Sequence, residues 1–255
     1  MALTLTPVTN IPDIKPGDHL PSLLNDCLKN QGISLNNNDI LVVTQKIVSK
    51  AENRLINLST ITPSAEALEI SKISKKRPQL IELILRESKK VVRVNRRTII
   101  TEHKLGFISA NAGIDHSNVR GGSGKQEDWY LLLPKDPDYS ANQMRIYINS
   151  AENVNIGVMI IDSHGRAWRY GTVGTMIGTA GVPGLVDLRG KKDLYGYKLK
   201  ITRVAAADEL ASAASLIMGQ ASENIPVVHV RGFPYPLRNA CLNEVLRPEN
   251  KDLFR

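Results

Sequence analysis

Residues 154–162, VNIGVMIID, form a nearly continuous apolar run that ends in a carboxylate. A run of this kind is typical of a strand that is buried on both faces. The pair Asp136-Pro137 precedes it and predicts the start of a helix. The apolar face of that helix would carry Ala141, Met144 and Ile148. We therefore expect a helix that leads into a core strand ending on Asp162.

The segment after this strand, residues 170–190, is rich in glycine and reads YGTVGTMIGTAGVPGLVDLRG. It lacks the Gly-Lys-Ser/Thr ending of a P-loop and the glycine spacing of the dinucleotide-binding fingerprint. A direct phosphate role stays open as the alternative, but we expect the glycines to permit tight turns and close packing in the core. These glycines are Gly171, Gly174, Gly178 and Gly181.

The rest of the chain alternates loosely between predicted strands and helices, and no internal repeat is visible. Residues 120–128, RGGSGKQED, read as a flexible polar loop, and the tail from residue 233 reads as irregular. This pattern predicts an α/β or α+β protein without visible lobe boundaries. Strands are predicted at residues 2–8, 39–45, 90–94, 97–101, 104–110, 197–204 and 225–230. Helices are predicted to begin near Asp18, at a first turn that contains Pro63, at Pro78 and near Asp208.

The composition favours a soluble protein with anionic partners. The 255 residues include 33 Lys and Arg against 25 Asp and Glu, for a formal charge of +8. The N-terminus does not resemble a signal peptide, and no apolar run is long enough to span a bilayer. Cys27 and Cys241 lack metal-ligand spacing, so we expect both as buried filler in a reducing cytoplasm.

Two polar segments contain aspartates that follow strand-like runs. Residues 109–119 read SANAGIDHSNV around Asp115, and residues 161–166 read IDSHGR around Asp162. A carboxylate at a strand end is a favoured ligand for Mg²⁺, which also accepts phosphate oxygens of a substrate. An Asx-turn or a helix cap is the alternative for each aspartate alone. Together they indicate a Mg²⁺-dependent enzyme acting on a phosphate-bearing substrate.

Two further segments offer weaker signals. Gln220 and Glu223 provide oxygen atoms beyond a predicted helix end, where an ordinary helix-terminating loop is the simpler interpretation. Gln45, Lys46 and Lys50 follow a predicted strand, and lysines there can pair with phosphates. From spacing alone, solvated surface lysines are the better interpretation.

Seven segments in this order resemble the coenzyme F420-0:L-glutamate ligase family, also called F420 γ-glutamyl ligase. The resemblance covers residues 7 to 232, and its most specific parts are ANAGID.SN and D[ST].GR..R.G with a Gly-Gln near the end. The matching segments are IPDIKPGD, DILVVTQKIVSKAENR, GFISANAGIDHSNV, LLLPKDPDYSA, VMIIDSHGRAWRYGTVGTMIGTAG, DLRGKKDLYGYKLKITRVAAADELASAASLIMGQ and IPVVHVRG.

The resemblance implies a fold and an activity. It implies a two-lobed α+β fold with mixed sheets, unlike P-loop and ATP-grasp enzymes, in one catalytic unit of two interleaved lobes over residues 1–255. It also implies a homodimer that uses GTP to phosphorylate a carboxylate of coenzyme F420-0, after which the amine of L-glutamate displaces the phosphate. Mg²⁺ or Mn²⁺ would hold the phosphates, and a monovalent cation such as K⁺ would assist.

The resemblance also implies residue roles, carried over position by position. Asp115 and Asp162 match the catalytic metal-binding aspartates, Ser163 matches a ligand of a second metal, and Gln220 matches a further ligand. The positions that match GTP contacts are Ile11, Pro12, Asp13, Ile14, Gln45, Lys46, Lys50, Asn118, Met218, Gly219, Gln220, Ala221, Ser222, Glu223, Asn224 and Ile225.

Two other functions are open at this point. The first is the same ligase chemistry on a different carboxylate acceptor. The second is a basic nucleotide- or RNA-binding protein without turnover, which predicts salt-sensitive polyanion binding and no metal requirement. With only three Phe and two Trp, the chain shows no aromatic-rich RNA platform, so we expect no nucleic-acid partner and no membrane partner.

Overall fold

The computed structural model describes residues 2–122 and 124–252, and it shows the predicted α+β class with several open sheets. Prolines and polar caps begin several helices; Asp136, for example, accepts the backbone N–H of Tyr139 at 3.0 Å. The helices are α1 (Leu20–Asn30), α2 (Gln45–Ala51), α3 (Ala65–Ser74), α4 (Pro78–Glu87), α5 (Pro137–Glu152) and α6 (Ala206–Met218). The strands are β1 (Thr4–Val8), β2 (Ile40–Thr44), β3 (Leu55–Asn57), β4 (Ser88–Asn95), β5 (Thr98–His103), β6 (Ile108–Ala110), β7 (Trp129–Leu131), β8 (Gly157–Arg166), β9 (Arg169–Ala180), β10 (Val186–Asp187), β11 (Arg203–Val204) and β12 (Val227–Arg231).

The largest sheet has the order β1-β12-β2-β8-β9 and is mixed, as predicted. β2 and β8 run parallel, from the pair of Ile40 with Gly157 to the pair of Thr44 with Ile161, whereas the other neighbours are antiparallel. The apolar part of β8 is buried, as its near-continuous apolar sequence indicates, and the predicted face of α5 packs into the same core. Because β2 and β8 are parallel, the residues that follow β2 and the polar half of β8 from Asp162 onward lie at one edge of the sheet.

Strand β8 does not end on Asp162, so that prediction is wrong. It continues to Arg166 and forms a hairpin with β9. Backbone pairing extends the strand beyond its apolar half, and apolarity marks only the buried part. The pairing contains a bulge where Ile160 opposes Gly178 and Ile161 opposes Met176, just before Asp162.

The glycines of the hairpin confirm the expected close packing. A Cβ on Gly174 would lie 2.4 Å from the carbonyl oxygen of Ala211 in α6. A Cβ on Gly178 would lie 2.4 Å from the Cβ of Pro137 at the start of α5. Both helices therefore contact the backbone of β9 directly. Gly171 and Gly181 have φ of +85°, as expected for turns.

The segment between α2 and α5 forms smaller sheets and separate apolar clusters. β4, β5 and β6 form a three-stranded antiparallel sheet, and β3 pairs with β7. Helices α3 and α4 cover these elements, with Ala67, Ile81 and Ile84 in one cluster and Leu83 in another. This region supplies the segment that contains Asp115.

Four local predictions are wrong. Pro63 lies before the helix, because Ser64 is the N-cap of α3 and accepts the backbone N–H of Ala67. The predicted strand at 104–110 is confined to β6, since residues 103–106 form a turn closed by the Gly106 N–H and the His103 carbonyl. The predicted strand at 197–204 is confined to β11. Cys241 is exposed, so the prediction that it is buried is wrong. Ser123 of the predicted loop 120–128 lies outside the described residues.

Within residues 2–122 and 124–252, no helix has the length and apolarity needed to cross a membrane.

Candidate active site

A cleft of about 690 Å³ opens where β2 ends beside residues 161–163 of β8, and it collects nearly all the predicted site residues. Its walls come from the segment before α1, from α2, from the loops after β6 and α6, and from β8. The predicted residues that line it are Ile11, Pro12, Asp13, Ile14, Lys46, Lys50, Asp115, Asn118, Asp162, Ser163, Met218, Gly219, Gln220, Ala221, Ser222, Glu223, Asn224 and Ile225.

Gln45 differs from the other predicted residues because it is fully buried behind the cleft. Its Nε2 donates to Asp115 Oδ2 at 2.6 Å, and its Oε1 accepts the hydroxyl of Ser49 at 2.9 Å. The second contact fixes which end of the amide faces the carboxylate. Gln45 thus supports Asp115 and does not face the cavity.

A left-handed turn places Asp115. Asn111, Ala112 and Gly113 have φ of +51°, +53° and +64° in succession, which is uncommon for non-glycine residues. Left-handed helical geometry costs roughly 1–2 kcal/mol per non-glycine residue. The turn is held because Asn111 Oδ1 accepts the Ile99 N–H at 3.2 Å and Ala112 is buried. The backbone of Asp115 then pairs with Leu131 in both directions at 2.9 Å.

The Asp115 carboxylate faces both a cation and another carboxylate. Lys46 Nζ donates to its Oδ2 at 2.6 Å, and the side chain of Asp115 is 26% exposed. Burial raises the pKa of the Asp115 carboxyl above its usual range; the Lys46 ammonium opposes this shift, and the negative charge of Asp162 adds to it. The negative charge of Asp162 thus disfavours ionisation of Asp115.

Asp162 lies deeper in the site. Its Oδ2 lies 3.1 Å from Nε2 of His164, and its side chain is 11% exposed. Burial acts to raise the pKa of Asp162, but the His164 imidazole, the Ser163 N–H and the Lys46 charge outweigh burial and leave that pKa below its usual range. The surroundings thus keep this carboxylate ionised.

Aromatic rings pack beside His164. Phe107 contacts the His164 ring at a centroid distance of 5.0 Å and stacks on His103 at 5.1 Å. His103 is buried, and burial lowers its pKa to about 4, so this ring is neutral at pH 7. The Phe107 ring thus contacts both His103 and His164.

The loop after α6 closes one side of the cleft. Gly219 ends the helix at φ +71° and ψ −176°, a region open essentially only to glycine. Ala221 holds the loop from two sides, because its carbonyl accepts Asn118 Nδ2 at 2.8 Å and its N–H donates to Glu223 Oε2 at 2.8 Å. The cleft wall thus joins the loop after α6 to the loop after β6.

The lysines of α2 are paired and are not freely solvated, contrary to the interpretation from spacing. Lys46 contacts Asp115, and Lys50 Nζ lies 3.1 Å from Asp13 Oδ1 across the cleft. Both lysines therefore present their charge to the cavity.

The cleft offers a set of hard oxygen ligands. Asp115, Asp162, Ser163 and Gln220 all line it, and Ser163 Oγ donates to Gln220 Oε1 at 3.0 Å. Across residues 2–122 and 124–252, no three His, Cys, Asp or Glu side chains form a group suited to a metal ion. Two carboxylates with neutral oxygens nevertheless fit Mg²⁺ or Mn²⁺, which take one or two protein carboxylates together with substrate phosphates. A cation bound by both aspartates would offset the repulsion between them.

Comparisons with known proteins agree on one family. The family model described as F420-0:Gamma-glutamyl ligase matches residues 9–232. The chain belongs to this family. The coenzyme F420:L-glutamate ligase of Methanothermobacter thermautotrophicus is 43% identical over 257 residues, covering 100% of each chain. The enzymes of the same name from Methanocaldococcus jannaschii and Archaeoglobus fulgidus are 44% and 37% identical, over 85% and 100% of this chain and 84% and 97% of theirs.

Several residues of this F420-0:Gamma-glutamyl ligase cleft were not predicted from the sequence. Ser117 and Arg120 follow Asp115 in the same loop, and their closeness in sequence to the Asp115 motif could have indicated them. Ser215 lies inside α6 and had no signal beyond its place one turn before the helix end. His164 contacts Asp162 without lining the cleft; it stands within the motif IDSHGR, but no sequence rule assigns it to Asp162.

Proposed function

We propose that this protein joins L-glutamate to the coenzyme F420-0 precursor, with GTP as the energy source and an acyl phosphate as the intermediate. The observation that carries the proposal is the cleft itself. It brings two mutually repelling carboxylates, two lysines and neutral oxygen ligands to one sheet edge in a chain that matches F420:L-glutamate ligases along its length.

The chemistry requires activation because a carboxylate is a poor electrophile. An oxygen of the F420-0 carboxylate attacks the γ-phosphorus of GTP, and the bond from that phosphorus to the bridging oxygen breaks to release GDP. The glutamate amine then attacks the acyl carbon, phosphate leaves with the former carboxylate oxygen, and the amine nitrogen loses a proton. GTP, glutamate and F420-0 thus give the amide, GDP and phosphate.

Asp115, Asp162, Ser163 and Gln220 are the proposed ligands of Mg²⁺ or Mn²⁺. A bound divalent cation supplies charge neutralisation for the transferring phosphoryl group. The protein's own contribution is to hold these oxygens in place before substrate arrives, through Gln45, the left-handed turn and the His164 contact. We propose K⁺ as the assisting monovalent cation on the family resemblance alone.

The nucleotide would lie along residues 11–14 and 218–225. These residues line the cleft together with Lys46 and Lys50, whose positive charges can pair with phosphates. Asn118 bonds the Ala221 carbonyl and thereby keeps this part of the cleft in shape.

We also propose a homodimer. Residues 189–203, which we call the basic arm, carry six Lys and Arg and expose Leu194, Tyr195 and Ile201 to 96%, 95% and 88%. Large apolar side chains exposed in one segment are typical of a surface that another molecule covers. Light scattering should give the dimer mass, and Leu194→Asp should lower it to the monomer mass. Leu68→Asp on α3 is the control, and a monomer mass for the unaltered protein would contradict the proposal.

The direct test is incubation with GTP, Mn²⁺, L-glutamate and F420-0, followed by mass spectrometry. We expect product heavier by one glutamyl residue, together with GDP and phosphate in equal amounts. Omission of F420-0 should abolish GDP release, which separates ligation from idle hydrolysis. Intact F420-0 after prolonged incubation would refute this acceptor. GDP release with a different carboxylic acid would then indicate the same chemistry on another acceptor.

A further inference from the structure

The side-chain amide of Gln220 is held between two hydroxyl groups. Ser163 Oγ donates to its Oε1 at 3.0 Å, and its Nε2 donates to Ser215 Oγ at 3.0 Å. Ser163 is a proposed metal ligand, whereas Ser215 lines the cleft from α6 and is not among the proposed ligands. Gln220 itself lies on the exposed loop after α6, where an unrestrained glutamine would sample several rotamers.

The hairpin of β8 and β9 determines where Ser215 lies. Gly174 is the cross-strand partner of Ser163. A Cβ on Gly174 would lie 2.6 Å from Ser215 Cβ, so α6 packs directly over the backbone at this position. Ser215 is therefore fixed relative to Ser163 by the contact between the helix and the strand.

The two ends of a glutamine amide have nearly the same shape but opposite hydrogen-bonding character. Only the carbonyl oxygen can bind a hard cation, whereas the NH₂ group would repel it. Ser163 has a related requirement, because a hydroxyl that gives a lone pair to a cation must donate its proton to another acceptor. Gln220 Oε1 is that acceptor, which requires the NH₂ group to point the other way.

We propose that Ser215 is a positioning residue that accepts the Gln220 NH₂ group and so keeps the Gln220 carbonyl turned toward Ser163 and the metal site. This inference rests on the metal site of the proposed function. Ser215 is not itself one of the proposed ligands. Its effect on metal affinity passes through Gln220 and depends on the presence of that side chain.

The test is a double-mutant cycle on Mn²⁺ affinity. Ser215→Ala, Gln220→Ala and the double variant are titrated with Mn²⁺, and the free ion is followed by electron paramagnetic resonance, with and without GDP. Loss of an outer hydrogen bond to a metal ligand typically costs 10–100-fold in affinity, so we expect Ser215→Ala to bind Mn²⁺ about tenfold more weakly. In the Gln220→Ala background the same change should have no further effect. Ser215→Thr should retain the affinity because it keeps the hydroxyl.

Ser212→Ala is the matched control, since it removes a hydroxyl of the same helix that also reaches the hairpin but not Gln220. It should leave Mn²⁺ affinity unchanged, while melting temperatures monitor folding of all variants. Equal losses in Ser212→Ala and Ser215→Ala, or an undiminished loss in the Gln220→Ala background, would overturn the positioning role alone. An unaltered protein that binds Mn²⁺ neither with nor without GDP would overturn the metal site, and the positioning role with it.

Discussion

Gly174→Ala tests the contact on which the position of α6 depends. The added Cβ would lie 2.4 Å from Ala211 O, 2.9 Å from Ala211 C and 2.6 Å from Ser215 Cβ, where ordinary contacts begin at 3.4 Å. Two of these atoms belong to the helix backbone and cannot rotate away, so α6 must move by about 1 Å, as overpacked cores do. Overpacking costs about 1–3 kcal/mol. Because the backbone atoms cannot move aside, we expect the free energy of unfolding to fall by about 3 kcal/mol, the upper end of this range.

The expected fall in melting temperature is about 6–12 °C, because 1 kcal/mol corresponds to roughly 2–4 °C in a chain of this size. Gly165→Ala is the matched control, since Gly165 lies in the same hairpin and a Cβ there meets nothing within 4 Å. Circular dichroism melts of both variants measure the difference. The shift of α6 also moves Ser215 and Gln220, and a misplacement of about 1 Å can cost about 100-fold in turnover. Equal melting temperatures for the two variants would refute the packing argument.

The remaining predictions concern the aspartates, the nucleotide and pH. Asp115→Asn and Asp162→Asn should each lower GTP-dependent ligation by more than about 100-fold, because loss of metal-mediated charge stabilisation is worth several kcal/mol. Thermal melts should show little destabilisation for Asp115→Asn, because the pKa of the Asp115 carboxyl is raised in the folded protein. They should show more for Asp162→Asn, because the pKa of the Asp162 carboxyl is lowered there. Near-normal ligation in either variant would exclude that aspartate as a ligand. With Mg²⁺, GTP or GDP should raise the melting temperature more than ATP does, and equal shifts would remove the guanine preference. Hydrogen bonds from Arg231 and His229 outweigh burial and hold the pKa of Asp39 below its usual range. Asp39 therefore stabilises the fold above the unfolded-state pKa of about 3.9, and this contribution is lost as pH falls through the lower folded pKa. Urea titrations of Asp39→Asn should lack that part of the acid dependence, and an unchanged acid dependence would contradict the assignment.

The fold was predictable where pattern and capping agree. Asp136-Pro137 began α5 as expected, and the apolar run before Asp162 was buried. The extent of β8 was not predictable, because the polar half of the strand exists only through its pairing with β9. The strand predicted at 197–204 failed for a related reason: its backbone meets residues 188–193 only through scattered hydrogen bonds, such as Gly190 N–H to Leu199 O at 2.8 Å, and continuous strand pairing is limited to β11.

The site was predictable mainly through family motifs, whose residues now line one cleft. Chemistry alone indicated the two aspartates, yet it ranked Lys46 and Lys50 as solvated because spacing does not show that Asp115 and Asp13 face them. Contacts between distant segments, such as that of Gln220 with Ser215 and Ser163, depend on tertiary packing and leave no local pattern.

The pairing of β1 with β12 has a consequence for synthesis of the chain. Thr4 lies opposite Arg231 and Val8 opposite Val227, so β1 is bonded to the strand of the sheet that comes last in chain order. Until residues 227–231 have been made, β1 has no such partner, and until residues 218–225 have been made the cleft lacks one of its walls. Contacts so distant along the chain make folding slow. A nascent chain therefore cannot complete its binding site before β12 has been made, and we expect a chain that stops short of β12 to be inactive.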